Sequence, residues 1–372
     1  MSHNYDHHHD HHHDHDHHHS HHPTHTRRQF IRLTAISLAT TLLNSCINAP
    51  PPPSNPAHPP VATTLPTSSP LAISPTNTPS PPATTSPIPT TNATATPNLS
   101  PTAGFDAFRD QLNLITTNDY LLIEANGLPS HNMMVGISSW QQQVPVPQPY
   151  TGDNAWQLPL NPTLADNPIS AQTNLYRGAI AIAVNGVPIF NALNNRGEDA
   201  FLAGELDNWG GHCGRADDYH YHTAPLHLQE IVGPTNPIAY ALDGFPIYGL
   251  TEPDGSPVTN LDQFNGHLDA NGHYHYHASN DYPYINGGLR GTVTVQNDQI
   301  EPQPRLRPFR PAGEPLRGAT ITNFTMTGTN AYSLEYTLNN QKHYVNYSFA
   351  GSTYTFTFID AAGATRTETY TR

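Results

Sequence analysis

Lysine is almost absent from this chain. Lys342 is the only one in 372 residues, and 15 basic against 29 acidic side chains leave a formal charge of −14. So acidic a protein has no basic surface to offer nucleic acid or anionic lipid headgroups. Cysteine is nearly as scarce, with only Cys46 and Cys213. Once Cys46 is assigned to a lipid anchor, as argued below, Cys213 stands alone and no intramolecular disulfide can form. No apolar run reaches the length of a permanent membrane helix. Also missing are a Gly-x-Ser-x-Gly elbow, a phosphate-binding loop and a dinucleotide fingerprint, which removes the commonest hydrolase, nucleotide and nicotinamide chemistries. Helical periodicity is confined to 105–115, where apolar residues at 105, 108, 112 and 115 predict one short helix. Elsewhere glycine, proline and asparagine punctuate short strand-like runs, which predicts a mainly β protein.

What the chain has instead is histidine in a repeated pattern. Gly211-His212, seven residues, then His220-Tyr221-His222 recurs as Gly266-His267, seven residues, then His275-Tyr276-His277. A tyrosine precedes each pair, Tyr219 and Tyr274, so both copies read Tyr-His-Tyr-His. Residues i and i+2 of a strand share a face, so each His-x-His presents two imidazoles together while the tyrosines point the other way. The repeat extends upstream: 181–190 (AIAVNGVPIF) matches 239–248 (AYALDGFPIY), each an apolar run, an Asn-Gly or Asp-Gly turn and a second apolar run. The expected unit is strand, turn, strand, loop, Gly-His and histidine strand, made twice. Two units burying their apolar faces about a pseudo-two-fold axis would bring the histidine strands close together.

The candidate metal ligands are therefore His212, His220, His222, His267, His275 and His277. Strand alternation adds His273 in the second copy and Asp218 at the matching position of the first. Cys213, His131, His227 and Asp243 are further candidates as ligands or as groups that orient them. Imidazole and carboxylate donors suit copper or zinc best, with iron, nickel or manganese also compatible. Tyrosine–histidine ladders without metal are the alternative, because both side chains donate and accept hydrogen bonds.

Tyr-His-Tyr-His, Gly-His, 243–249 (DGFPIYG), Asn265-Gly-His267 and the opening 127–131 (GLPSH) with 141–143 (QQQ) together resemble the bacterial YHYH-domain family over roughly 118–295. The resemblance implies a fold unit and a metal or ligand site, and no particular reaction.

The rest of the chain divides by composition. Residues 1–25 hold 14 of the 25 histidines among four aspartates and read as a disordered head. Residues 26–46 fit a twin-arginine export signal: Arg27-Arg28, a mild apolar run at 33–43 and Leu43-Asn44-Ser45-Cys46, close to a lipobox. The partners expected are the twin-arginine translocase and, through acylated Cys46, the membrane. The expected location is the cell envelope. Residues 47–103 carry 17 prolines and no Asp, Glu, Lys or Arg, which predicts a disordered tether. The histidine-bearing domain is placed at 104–300, a Pro-rich connector at 301–316, and a five-strand antiparallel β-meander at 317–372, with strands at 319–327, 331–338, 344–349, 353–359 and 366–370. The expected function is transition-metal binding at one site built from both histidine strands. A metal-dependent hydrolase or oxidoreductase and a metal-free adhesion or ligand-recognition module are the alternatives.

Overall fold

The computed structural model describes residues 99–372. The histidine-rich head, Arg27, Arg28, Cys46 and most of the proline-rich tether lie outside the described residues. The tether was expected to run free to 103, yet Leu99 already packs against the core and Ala103 is buried.

The predicted helix at 105–115 is a correction. Only Phe105–Phe108 coils, as one 3-10 turn, and β1 (Asn113–Thr116) follows. Phe105 and Phe108 are buried by that turn, whereas Leu114-Ile115-Thr116 carries two β-branched residues that favour an extended chain. β1 joins β2 (Tyr120–Glu124) and β3 (Trp156–Pro159) in a three-stranded antiparallel sheet. β4 (Leu164–Ser170) pairs with a strand from much later in the chain.

The duplicated region forms one eight-stranded sheet. The first copy supplies β5 (Ala179–Ala183), β6 (Pro188–Phe190), β7 (Gly211–Cys213) and β8 (Tyr219–Tyr221). After the short helix α1 (Leu228–Val232), the second supplies β9 (Ala239–Ala241), β10 (Pro246–Tyr248), β11 (Gly266–Leu268) and β12 (Tyr274–His277). The strand order is β11-β12-β10-β9-β5-β6-β8-β7, whose two halves mirror each other. β5 and β9 meet antiparallel at the centre, Ala181 opposite Ala241 and Ile182 opposite Tyr240. An antiparallel pair of equivalent strands has local two-fold symmetry, which supplies the expected pseudo-dyad.

That symmetry acts edge to edge rather than face to face, and it overturns one expectation. The histidine strands β8 and β12 are not neighbours but lie near opposite edges, separated by β6, β5, β9 and β10. At about 4.8 Å per strand this puts them roughly 24 Å apart along the sheet. The β5 run AIAIA is wholly buried, as a central strand covered on both faces must be. Each copy turns from its first strand to its second through a three-residue hairpin loop. Gly186 (φ +79°) and Gly244 (φ +92°) occupy the left-handed position that this loop requires.

β13 (Gly288–Gly291) returns to pair with β4, and β14 (Thr294–Gln296) with β15 (Gln299–Glu301) forms a small hairpin. The C-terminal sheet is the predicted meander: β16 (Thr320–Gly328), β17 (Ala331–Leu338), β18 (Gln341–Ala350), β19 (Thr353–Ile359) and β20 (Thr365–Thr371), all antiparallel and in sequential order. One continuous hydrophobic cluster runs from Phe105 through β5 and β9 to Phe356. Among the described residues no helix is long and apolar enough to cross a membrane.

Two candidate metal centres

Each Gly-His and the Tyr-His-Tyr-His that follows form one antiparallel hairpin. In the first, His212 stands opposite His220, with Gly211 opposite Tyr221 and Cys213 opposite Tyr219. In the second, His267 stands opposite His275. The cross-strand partner and the i+2 neighbour share a face, so three imidazoles gather on one side of each hairpin. The Gly of Gly-His is needed because the first tyrosine of the motif covers it. A Cβ on Gly211 would stand 2.5 Å from the Tyr219 hydroxyl, and one on Gly266 would run into that of Tyr274.

An equivalent carboxylate anchors each hairpin from behind. Tyr219 donates to Asp207 Oδ2 at 2.8 Å, while Asp207 Oδ1 accepts from the Trp209 and Gly211 amides. Tyr274 donates to Asp262 Oδ2 at 2.8 Å, while Asp262 Oδ1 accepts from the Phe264 and Gly266 amides. The second tyrosine reaches the turn of its own copy: Asn185 Nδ2 donates to Tyr221 Oη at 3.1 Å, and Tyr276 donates to Asp243 Oδ2 at 2.5 Å. Every tyrosine of the two motifs is thus buried and hydrogen-bonded, which locks the strand and with it the histidine face.

The Nδ1 atoms of three of the histidines donate to main-chain oxygens: His220 to Asp218 at 2.9 Å, His222 to Asn191 at 2.5 Å and His277 to Gly249 at 3.1 Å. That fixes the tautomer and leaves Nε2 unprotonated with its lone pair available, the arrangement typical of metal-ligating imidazoles. In the first copy His212 Nε2 and His222 Nε2 approach to 3.0 Å. In the second, His267 Nε2 and His275 Nε2 also stand at 3.0 Å. The potential ligand atoms of His212, His220 and His222 all lie within 4.8 Å of one another, and so do those of Glu252, His267, His275 and His277. His277 Nε2 is buried without a hydrogen-bond partner, and its side chain is 0% exposed.

Burial pushes His222 down to about 3 and His277 down to about 4, and it holds His212 well below the ordinary histidine range. Burial, then the neighbouring His267, lowers His275 as well. These four imidazoles are neutral at pH 7, the form that binds a metal.

Glu252 carries no signal in the sequence. It follows β10 and enters the second cluster, with Oε1 3.0 Å from His267 Nε2 and Oε2 3.2 and 3.4 Å from the Nε2 atoms of His275 and His277. The matching loop position of the first copy is Asn194, whose amide donates to Glu198 and Glu205. Asp207 and Asp262 were also missed. Their signal was present, since Leu-Asp-x-x-x-Gly-His occurs at 206–212 and again at 261–267.

The remaining candidates sit elsewhere. His273 is bound by Asp269 in the hairpin turn, Nδ1 to Oδ2 3.1 Å, and does not join the cluster. Asp218 accepts from the Ala216 amide and stands behind His220, 3.5 Å from its Nδ1, so it supports a ligand rather than being one. Cys213 is buried on the tyrosine side of β7, where burial raises its thiol well above the usual range. Asp243 serves Tyr276 and its own turn, accepting from Phe245. His131 bonds the Tyr221 hydroxyl at 2.8 Å and stacks on Trp209, with His227 edge-on beside it. Since β8 alternates, that group lies across the sheet from His220 and His222. The single site expected from both strands is therefore two separate clusters, because the pseudo-dyad places the strands apart.

Residues 155–259 match the family model described as YHYH protein. The matched segment spans the first histidine hairpin and ends before His267. No curated protein and no solved structure matches the chain. The first of the two hairpins, with its tyrosines clamped behind and its histidines turned forward, lies within the matched segment, and the chain carries a YHYH domain.

Proposed function

We propose that this is an exported, lipid-anchored protein of the cell envelope that binds a transition metal, zinc or copper, at two separate centres. One observation carries the reading: in each hairpin one ring nitrogen from each of three imidazoles gathers within 4.8 Å of the others, with Nδ1 of His220, His222 and His277 held by main-chain oxygens. A fully paired hydrogen-bonded ladder would use both ring nitrogens of every histidine, as His222 does through Asn191 and His212, whereas His277 Nε2 has no partner. The export and anchoring part rests on Arg27, Arg28 and Cys46 alone.

A second reading, a metal-dependent hydrolase or oxidoreductase, is favoured by the cleft of about 890 Å³ that Glu252, His267 and His275 help to line. A cavity of that size suits a small-molecule substrate.

Elemental analysis of the protein recovered from cell envelopes, without a tag or chelator, tests the metal reading. Changing His220→Ala should remove one equivalent of metal per chain, His275→Ala one, and the pair two. Equal metal content in all four proteins, each still folded, would leave the Tyr-His-Tyr-His strands as architecture. Mass analysis of the N-terminus tests acylation of Cys46 in the same preparation.

A further inference from the structure

The two copies have kept the same three histidines and changed nearly everything in front of them. We propose that the second centre is open, taking a small exogenous molecule through a neutral nitrogen or oxygen donor, while the first is closed. The proposal rests on the metal reading above.

Access differs most. Glu252, His267 and His275 line the large cleft. At the first centre, Met134, Ile137 and Trp140 line with His212 and Cys213 a cavity of only about 40 Å³. That holds little more than a water or two. Phe190 then lies flat on His220, ring centroids 3.9 Å apart at 16°. Its counterpart Tyr248 meets His275 edge-on at 5.4 Å and 89°. Leu268 is exposed where Cys213 is buried.

The donor sets differ too. Glu252 adds one carboxylate to three imidazole ligands, so a divalent ion there would keep one unit of positive charge. Asn194, in the same place of the first copy, has its amide engaged by Glu198 and Glu205, and its Oδ1 accepts from the Arg196 and Glu198 amides. The cleft is otherwise lined by Asp254, Asp262 and Asp269 against the single cation Arg290. Such a surface repels anions and admits neutral or cationic molecules. With His267, His275, His277 and Glu252 as four protein ligands, a donor entering from the cleft would be a fifth, the expansion to five-coordination that zinc sites undergo.

The test uses the full chain loaded with Co²⁺, whose visible bands report coordination, and imidazole as the added ligand. Changing His212→Ala silences the first centre. Changing His267→Ala together with Glu252→Gln silences the second, and these partly exposed groups spare the core. The contribution of the histidine-rich head is measured on a variant with both centres silenced and subtracted from the bands of each. Imidazole should shift the bands of the His212→Ala protein and leave those of the second variant unchanged. Shifts in both variants, or in the second alone, would overturn the inequality while leaving metal binding intact. Bands present in both and moved in neither would overturn the open centre. If neither variant nor the parent shows bands beyond those of the isolated head, the metal reading fails and the inference with it.

Discussion

At the scale of the residue, burial holds several histidines of this fold below their ordinary range. His222 is pushed down to about 3, and His131, His227 and His277 to about 4, each chiefly by loss of water. In the unfolded chain the same groups titrate near 6.5. Above that pH both states are neutral, and the full stability of the metal-free protein is available. As the pH falls from about 6.5 towards 4, the unfolded chain takes up protons that the folded one refuses, so stability declines through that window. Urea denaturation of the metal-free protein at intervals from pH 8 to pH 4 should show the midpoint falling below pH 6.5. A flat profile would mean that these imidazoles protonate in the fold. Bound metal should shift the loss to lower pH, since it competes with the same protons.

At the scale of the element, each site is one hairpin, and the first is held by the chain that leads to the C-terminal sheet. Arg310 donates to both oxygens of Asp217, at 2.6 Å each, and Asp217 lies in the turn between β7 and β8. Both side chains are nearly fully buried. Changing Arg310→Ala would leave the Asp217 carboxylate buried without its cation. Removing one partner of such a pair costs about 3–5 kcal/mol. The loss should appear in denaturant unfolding together with weaker metal binding at the first centre and unchanged binding at the second. Loss of both equally would show that the connector supports the whole domain rather than this hairpin. Lys342 and Glu335, an exposed pair on the meander, make the control, since surface pairs contribute little.

At the scale of the whole molecule, the pseudo-dyad separates the centres enough for them to act independently. Sites that far apart and sharing no partners add their effects. A ligand that binds only the folded state stabilises it by about 2.7 kcal/mol at a hundredfold excess over its Kd. Zinc should therefore raise the melting temperature in two increments, one lost on silencing each centre and both lost on silencing the two together. Calorimetry of the four proteins checks this. A shift abolished by either single change would indicate a shared centre.

Much of this architecture could be read from the residues. Strand alternation put Tyr219 and Tyr221 on one face and His220 and His222 on the other, and equal spacing announced the second hairpin. The five C-terminal strands came from turn residues and β-branched runs. All of these are local patterns, set by backbone periods of two residues and by turn geometry. What only the tertiary structure decided was which strand edges meet. Pairing of β5 with β9 is a contact between segments far apart in sequence, and the motif spacing is compatible with either arrangement of the copies. Once those two strands joined at the centre, the histidine hairpins were carried to opposite edges, one expected site became two, and Glu252 folded over the second. No periodicity marks a lone glutamate in a loop as belonging to histidines 15, 23 and 25 residues further on; its role comes from the fold that brings them within reach.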